Sequence, residues 1–228
     1  MNVSRNCVVS GLRVLALGLL ASAASAQFTW HVSATAAPGG DGSAAAPFQT
    51  VVAALSNPEL EDGDTVLVGP GTYDGGLLRA EIVLESTHGP AVTTLRAPLP
   101  SLTAVECDLS DCTVRGFTVI GGTGANAVAV AISNGLIERC AVVGGGPSLT
   151  GFGVRACNAT IRNCSVTGFQ IGITPAGFPC VPIVRDSIVS GNTLDLDWVN
   201  VAYSCFGTAP GSTLGAGCQS VAPGWIGG

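Results

Sequence analysis

A repeat with a period of about 23 residues, in the range typical of solenoid folds, is the feature that most constrains this sequence. Four segments align without gaps: 114–121, 137–144, 161–168 and 184–191. Each begins with Val or Ile, has Val at its sixth position and ends in Gly. This period is too short for the helix pair of the common helical repeats and suits a coil of two or three short strands joined by turns. The sequence therefore predicts a β-solenoid, with coils stacked about 4.8 Å apart.

The repeat also predicts which side chains share a column. Since side chains alternate along a strand, Val114, Phe117 and Val119 should point inward, and Arg115 and Thr118 outward. The sixth positions should form a single file: Val119, Val142, Val166 and Val189. The third positions are Gly116, Arg139, Asn163 and Asp186. Gly, Asn and Asp accept left-handed backbone angles at low cost, so this column predicts a turn.

One short amphipathic helix is predicted ahead of the repeats, over residues 46–55. Its apolar positions follow one face of a 3.6-residue period: Phe48, Val51, Val52 and Leu55. The first coil of a β-solenoid exposes its apolar interior and its unpaired strand edges. We therefore expect the helix to cap the N-terminal end, the alternative being a surface helix without that role.

Four segments outside the repeat carry a family resemblance. These are GGDGSAAAPFQTVVAAL (39–55), EDGDTVLVGPGTYDGG (61–76), VTTLRAP (92–98) and YSCFG (203–207). Together with the repeat they resemble the pectin-lyase-like superfamily, in its short secreted bacterial form. The resemblance implies an all-β fold, a right-handed parallel β-helix with a short N-terminal capping α-helix. The leucine-rich repeat, its main competitor by length, is not supported because the Leu-x-x-Leu-x-Leu-x-x-Asn signature is absent.

Residues 1–26 have the features of a secretory signal peptide. Arg5 and Arg13 accompany an apolar run over 14–21, and Ala24-Ser25-Ala26 offers a cleavage site before Gln27. A membrane anchor, the alternative, needs about 20 apolar residues, more than this run provides. We therefore expect a secreted or cell-surface protein whose mature chain has no transmembrane segment.

The remaining chain suggests one domain in three parts. We expect an N-terminal segment with the cap helix (27–64), the parallel β-helix (65–200) and a C-terminal cap or tail (201–228). The sequence gives no indication of the oligomeric state.

The charge composition argues against several partners. The sequence has 15 acidic residues and nine basic ones, which are all Arg; seven of these follow residue 26, giving a mature formal charge of −8. Such a chain repels nucleic acid and anionic lipid. The hydrophobic fraction of 47% and the charged fraction of 11% argue against disorder. The partner we expect is a polysaccharide or a cell-surface glycan.

Eight cysteines follow the signal segment, and an even number in an exported chain favours disulfides. Four pairs are candidates: Cys157–Cys180, Cys140–Cys164, Cys107–Cys112 and Cys205–Cys218. The first pair should stack on neighbouring coils, within disulfide distance. Cys140 and Cys164 share a repeat position, where thiols form a bridge or stay reduced as small apolar residues. A zinc site is not supported, because no Cys-x-x-Cys occurs.

One outward column carries charge on four successive coils: Arg115, Glu138, Arg162 and Arg185. It is either a solvated ladder of weak ion pairs or a stripe that binds the carboxylates and hydroxyls of a glycan. Polysaccharide lyases of the resembled fold use Arg or Lys as a base, often with calcium held by acidic residues. The resemblance thus makes the three arginines candidate bases, and Ca²⁺ the one expected cofactor if the chain is a lyase.

Asp195, Asp197 and Trp198 form a second candidate site. Alternation along a strand places both carboxylates on one face, as an acid/base pair or a cation site. Trp198 either stacks on a sugar or closes the last coil. No group of Asp recurs at one column on neighbouring coils, as it does in hydrolases of this fold. We therefore predict a non-catalytic cell-surface or extracellular module, with carbohydrate as its expected ligand. The alternatives are a polysaccharide lyase or glycoside hydrolase acting on acidic polysaccharide, and a scaffold fragment of a larger assembly.

Overall fold

The computed structural model describes residues 27–98, 103–146 and 151–220. Within them the chain forms 19 strands and one short helix, α1 (Val51–Leu55). All named strand pairs are parallel. The all-β parallel fold predicted from the repeat is confirmed. The predicted signal peptide lies outside the described residues.

The strands form three faces, here called sheets 1, 2 and 3. Three long strands run from sheet 1 into sheet 2: β7 (Thr103–Arg115), β9 (Val128–Glu138) and β11 (Phe152–Arg162). Sheet 1 combines their first halves with β4 (Gly76–Leu78), β13 (Ile171–Pro175) and β16 (Leu194–Leu196). Sheet 2 combines their second halves with β1 (Thr29–Val32), β2 (Thr65–Val68), β5 (Val83–Ser86), β14 (Ile183–Arg185), β17 (Asn200–Ala202) and β19 (Thr213–Leu214).

Sheet 3 is a separate seven-stranded sheet. Its strands, from the N-terminal coil onward, are β3 (Gly71–Asp74), β6 (Thr93–Arg96), β8 (Thr118–Ile120), β10 (Ala141–Val143), β12 (Ser165–Thr167), β15 (Ile188–Val189) and β18 (Cys205–Phe206). The predicted file of valines runs through it in register: Val119, Val142, Val166 and Val189. All four side chains are buried, which confirms the column.

The third repeat position lies at the corner between sheets 2 and 3 and has a positive φ in all four copies. The angles are 78° at Gly116, 53° at Arg139, 52° at Asn163 and 50° at Asp186. Tyr203, with φ 50°, continues this series outside the aligned repeat. The Asn163 N–H donates to the carbonyl of Arg185 on the next coil at 3.2 Å. Hydrogen bonds of this kind offset the strain of a left-handed angle at a residue other than Gly.

The fourth repeat position points into the core beside this corner. Cys140 and Cys164 are buried there as free thiols, so the reduced alternative is the one the structure contains. Each thiol donates to a nearby carbonyl: Cys140 to Glu138 at 3.3 Å and Cys164 to Arg162 at 3.1 Å. Interaction with the neighbouring Cys140 thiol, together with burial, raises the pKa of Cys164 well above its usual value. This thiol is therefore protonated and unreactive at neutral pH.

Two disulfides are present, Cys107–Cys112 and Cys157–Cys180, both among the predicted pairs. The predicted pair Cys205–Cys218 is wrong, since both thiols are free. Cys205 faces Gln219 in an isolated parallel bridge, so Cys218 is one residue out of register. A one-residue offset turns a side chain to the opposite face of a strand. The Cys218 thiol accordingly donates to the carbonyl of Val201 at 3.4 Å.

The helix α1 is shorter than predicted, and its buried face differs. It begins after Thr50, whose Oγ1 accepts from the Ala53 N–H at 3.1 Å. Val51 and Leu55 are buried as expected, but Val52 is 44% exposed and its predicted burial is wrong. Phe48 lies before the helix, outside its range.

The backbone around Phe48 explains this shift. The Phe48 N–H donates to the backbone carbonyl of His31 at 2.9 Å, and the Ser33 N–H donates to the backbone carbonyl of Phe48 at 2.9 Å. Residue 48 is thus committed to an isolated bridge with Val32 of β1 and cannot join a helix. This segment and α1 both contact the first coil.

The buried side chain of Asp64 stabilises the first coil through hydrogen bonds. Its buried carboxylate accepts hydrogen bonds from Phe28 N at 2.7 Å, Trp30 Nε1 at 2.8 Å and Glu61 N at 3.1 Å. Burial by itself opposes ionisation, but these hydrogen bonds outweigh it and hold the pKa of Asp64 below its usual value. This one carboxylate therefore joins the segment of Phe28 and Trp30 to the turn that contains Glu61.

The sheets extend beyond residues 65–200. Strand β1 lies in the N-terminal segment and pairs with β2, while β18 and β19 lie in the predicted tail. Among the described residues, no helix is long and apolar enough to cross a membrane.

Candidate functional site

The charged column predicted on sheet 2 is present in register, and two of its three arginines form ion pairs with carboxylates. Arg115 lies beside Glu138, which lies beside Arg162, which lies beside Arg185. Arg162 Nη2 contacts Glu138 Oε1 at 2.9 Å, and Arg115 Nη2 contacts Glu85 Oε2 at 2.8 Å.

Two glutamates pair with three arginines at this column, so the group keeps a net positive charge. Glu85 also contacts Arg139 at 3.6 Å, so one carboxylate serves two arginines. Arg185 is exposed and has no ion pair within the described part of the chain. The side chains of these pairs are partly exposed, and pairs at a protein surface contribute about 1 kcal/mol or less each to stability.

Asp195 and Asp197, the two carboxylates singled out by alternation, have different surroundings. Asp195 is buried and accepts four hydrogen bonds, two from Asn192 and one each from Gly207 N at 2.7 Å and Thr208 N at 3.2 Å. It therefore ties the last coils together and offers no free oxygen for acid/base work. Asp197 follows β16 and is only partly buried.

Asp197 and Trp198 belong to a pocket where sheet 1 turns towards sheet 2. We call this the aromatic pocket; it is lined by Thr174, Phe178, Pro179, Val181, Asp197 and Trp198. Its volume of about 450 Å³ is within the usual range for a small ligand. Two aromatic side chains in its lining face solvent: Trp198 is 66% exposed and Phe178 is fully exposed.

The Trp198 side chain packs on a glycine, and a disulfide fastens the loop that carries Phe178. The indole of Trp198 lies against Gly211, where a Cβ would approach ring atoms to 2.6 Å. Phe178 lies on the loop 176–182, which the Cys157–Cys180 disulfide fastens to β11. The sequence indicated Trp198 but not Phe178. Phe178 lies in a loop, and only the tertiary structure places that loop at the pocket.

A second groove on sheet 1 was not foreseen from the sequence. We call it the arginine groove; its charged lining consists of Glu106, Asp108 and Arg155. Arg155 Nη2 donates to the carbonyl of Ala176 at 3.4 Å, and its guanidinium lies 5.2 Å from the centre of the Phe152 ring. Strand pairing places Glu106, Ala131 and Arg155 in one register. Their spacing is close to the period of the repeat, a signal that the alignment of the shorter motif missed.

The described residues provide no three-ligand site for the calcium ion expected of a lyase. No group of three His, Cys, Asp or Glu side chains there is arranged to hold a metal ion. Asp195, one of the acids considered, already accepts four N–H groups, a setting that does not suit a cation. Glu106 and Asp108 supply two carboxylates at most.

Comparison with protein-family models and with curated proteins gives no match. Solved structures do share the fold. Pectate lyase Pel9A matches with a TM-score of 0.58 at 14% identity, covering 90% of this chain and 58% of that one. The GH136 lacto-N-biosidase from Eubacterium ramulus matches with a TM-score of 0.54 at 14% identity, covering 78% and 43%.

The chain therefore spans about half the length of these two structures. At this identity the likeness is evidence for the fold alone. The chain has a parallel β-helix fold and shares it with these two structures.

Proposed function

We propose that the protein is a secreted, non-catalytic module that binds carbohydrate in the aromatic pocket. The observation that carries this proposal is the position of two exposed aromatic side chains, Trp198 and Phe178, around the carboxylate of Asp197 and the hydroxyl of Thr174. A sugar ring has an apolar C–H face that packs on an aromatic ring and hydroxyls that hydrogen-bond to a carboxylate.

The chemistry of the pocket favours binding over hydrolysis. Glycosidases generally need two carboxylates about 5 to 9.5 Å apart, one on each side of the scissile bond. Asp197 is the single carboxylate among the described side chains lining this pocket. Asp195 is not its partner, because its oxygens are occupied by backbone and amide donors.

Secretion and capping are parts of the same proposal. The two disulfides support export, since such bonds persist in oxidising compartments. Phe48 and α1 are proposed to cap the N-terminal end, supported by the burial of Val51, Ala54 and Leu55 against the first coil. We also propose that the coils wind in the right-handed sense that is general for parallel crossovers.

A lyase or hydrolase acting on acidic polysaccharide is the second candidate, and the arginine groove is the observation in its favour. It brings a cation, Arg155, into one groove with Glu106 and Asp108. In this alternative Arg155 binds a sugar carboxylate, for which its planar fork is suited. It predicts unsaturated products from polyuronates, detected by ultraviolet absorbance, and loss of that signal in Arg155→Ala.

The binding proposal is tested with residues 27–228 on a glycan array, followed by calorimetry with the best oligosaccharide. Trp198→Ala is expected to weaken binding about tenfold or more, because it removes the stacking surface. Tyr203→Ala is the matched control, since Tyr203 is also exposed, at 60%, but lies outside the pocket. Equal affinity of the Trp198→Ala variant and the unmodified protein would overturn the proposal.

A further inference from the structure

The charge of the aromatic pocket has one sign. Among the described side chains that line it, Asp197 is the one that carries a charge, and the rest are aromatic, aliphatic or hydroxyl-bearing. A ligand in this pocket therefore meets one carboxylate and no basic side chain among the described residues of the lining itself.

The Asp197 carboxylate is available to such a ligand. Its Oδ2 accepts one hydrogen bond, from Thr174 Oγ1 at 3.3 Å. Its Oδ1 accepts none from the described residues, and the side chain is only partly buried. Asp195, two positions earlier, is the opposite case, with four donors aimed at its oxygens.

The cation of the adjoining groove, Arg155, makes no ion pair with Asp197 among the described residues. Arg155 Nη2 donates to the carbonyl of Ala176, and its guanidinium lies over the Phe152 ring. Arg155 lines the arginine groove and not the aromatic pocket. The two sites on sheet 1 therefore differ in the ligands that they favour.

The exposed aromatic rings add to the same preference. The face of an aromatic ring attracts a cation, most strongly for Trp, and the attraction adds to that of a nearby carboxylate. A sugar carboxylate would meet Asp197 with no cation to pair with it, which disfavours binding. The same groups accommodate an ammonium on a sugar ring.

We infer that the aromatic pocket binds a glycan with a free amino group, a glucosamine-type residue, and discriminates against uronic acids. The ammonium lies between the Asp197 carboxylate and the Trp198 ring, while the apolar sugar face packs on the aromatic side chains. This inference rests on the proposed carbohydrate-binding function and specifies its ligand. A glycan with a free amino group has the opposite charge to the acidic polysaccharide that the enzyme alternative predicted as a substrate.

The test compares three oligosaccharides of equal length by calorimetry, at a pH where the amine is protonated. They are a β-1,4-linked glucosamine oligomer, its fully N-acetylated form and an oligogalacturonate. We expect the free-amine oligomer to bind about tenfold more tightly than the acetylated one, and the oligogalacturonate not to bind.

Asp197→Asn should abolish the preference for the free amine while leaving the affinity for the acetylated oligomer within about twofold. Glu59→Gln is the matched control, because it removes the same charge from an exposed site elsewhere and should leave the preference intact. Thermal unfolding of each variant verifies that the fold is retained.

The outcomes separate this inference from the function on which it rests. Equal binding of the amine and acetylated oligomers, with loss of both in Trp198→Ala, would overturn the amine preference and leave the binding function standing. An equal loss of the preference in Glu59→Gln would assign it to net charge and overturn the site. Failure of every oligosaccharide to bind would overturn both proposals.

Discussion

Replacing Asp195 by Ala should separate a structural carboxylate from a ligand-binding one. The substitution leaves four donors without their acceptor: Asn192 N, Asn192 Nδ2, Gly207 N and Thr208 N. Asn192 Nδ2 keeps a second acceptor, the carbonyl of Val166 at 3.1 Å. Three backbone N–H groups therefore lose a partner. At about 1 kcal/mol for each, the free energy of unfolding should fall by about 3 kcal/mol.

Urea denaturation measures this loss. With an m-value of about 2 kcal/mol/M, the midpoint should fall by about 1.5 M while m stays unchanged. Asp195→Asn should lie between the wild type and Asp195→Ala, since one acceptor oxygen remains. Asp197→Ala, the matched control, removes one 3.3 Å hydrogen bond at a partly exposed side chain and should cost less than about 1 kcal/mol.

The assignment of roles depends on this contrast. If Asp195→Ala unfolds within about 0.5 kcal/mol of the wild type, its hydrogen bonds do not hold the last coils together. If Asp197→Ala costs as much as Asp195→Ala, Asp197 is a structural residue, and its role in the aromatic pocket loses its basis.

Three further predictions concern the first coil and the cysteines. Asp64→Ala, which frees Trp30 Nε1 and two backbone N–H groups, should cost about 3 kcal/mol near neutral pH. Because folding lowers the pKa of Asp64, its ionised carboxylate stabilises the protein above about pH 3.9, the usual value for Asp. The difference in urea midpoint between the wild type and Asp64→Ala should therefore shrink as the pH falls. Leu55→Ala should cost about 2 to 5 kcal/mol in the same assay and Val52→Ala less than about 1, and equal costs would contradict the observed helix face. Alkylation of residues 27–228 followed by mass spectrometry should label two half-buried cysteines in the native protein, Cys205 and Cys218, and label Cys140 and Cys164 only after denaturation.

The columns of the solenoid were predictable because they depend on the period alone. Val119, Val142, Val166 and Val189 lie in one file since parallel strands stack equivalent residues at a fixed spacing. The disulfide Cys157–Cys180 follows from the same arithmetic. The turn column was visible because few residues tolerate a positive φ, although Arg139 adopts it as well.

The errors have a common origin in contacts outside the period. Cys205 and Cys218 lie past the last repeat, where the coil is shorter and Gln219 occupies the register position. Phe48 is not part of the helix because its backbone hydrogen-bonds to the edge of strand β1. Helical periodicity did not reveal that competing partner.

The sequence alone determined the winding of this protein, because a repeat of hydrophobic and turn residues specifies which positions stack. Only the tertiary structure decided which polar side chains remain available. Asp195 and Asp197 are two residues apart and chemically identical, yet one accepts four hydrogen bonds and the other accepts one. That difference depends on the backbone N–H groups of Gly207 and Thr208 and on the Asn192 side chain, which surround Asp195 only when the chain has folded.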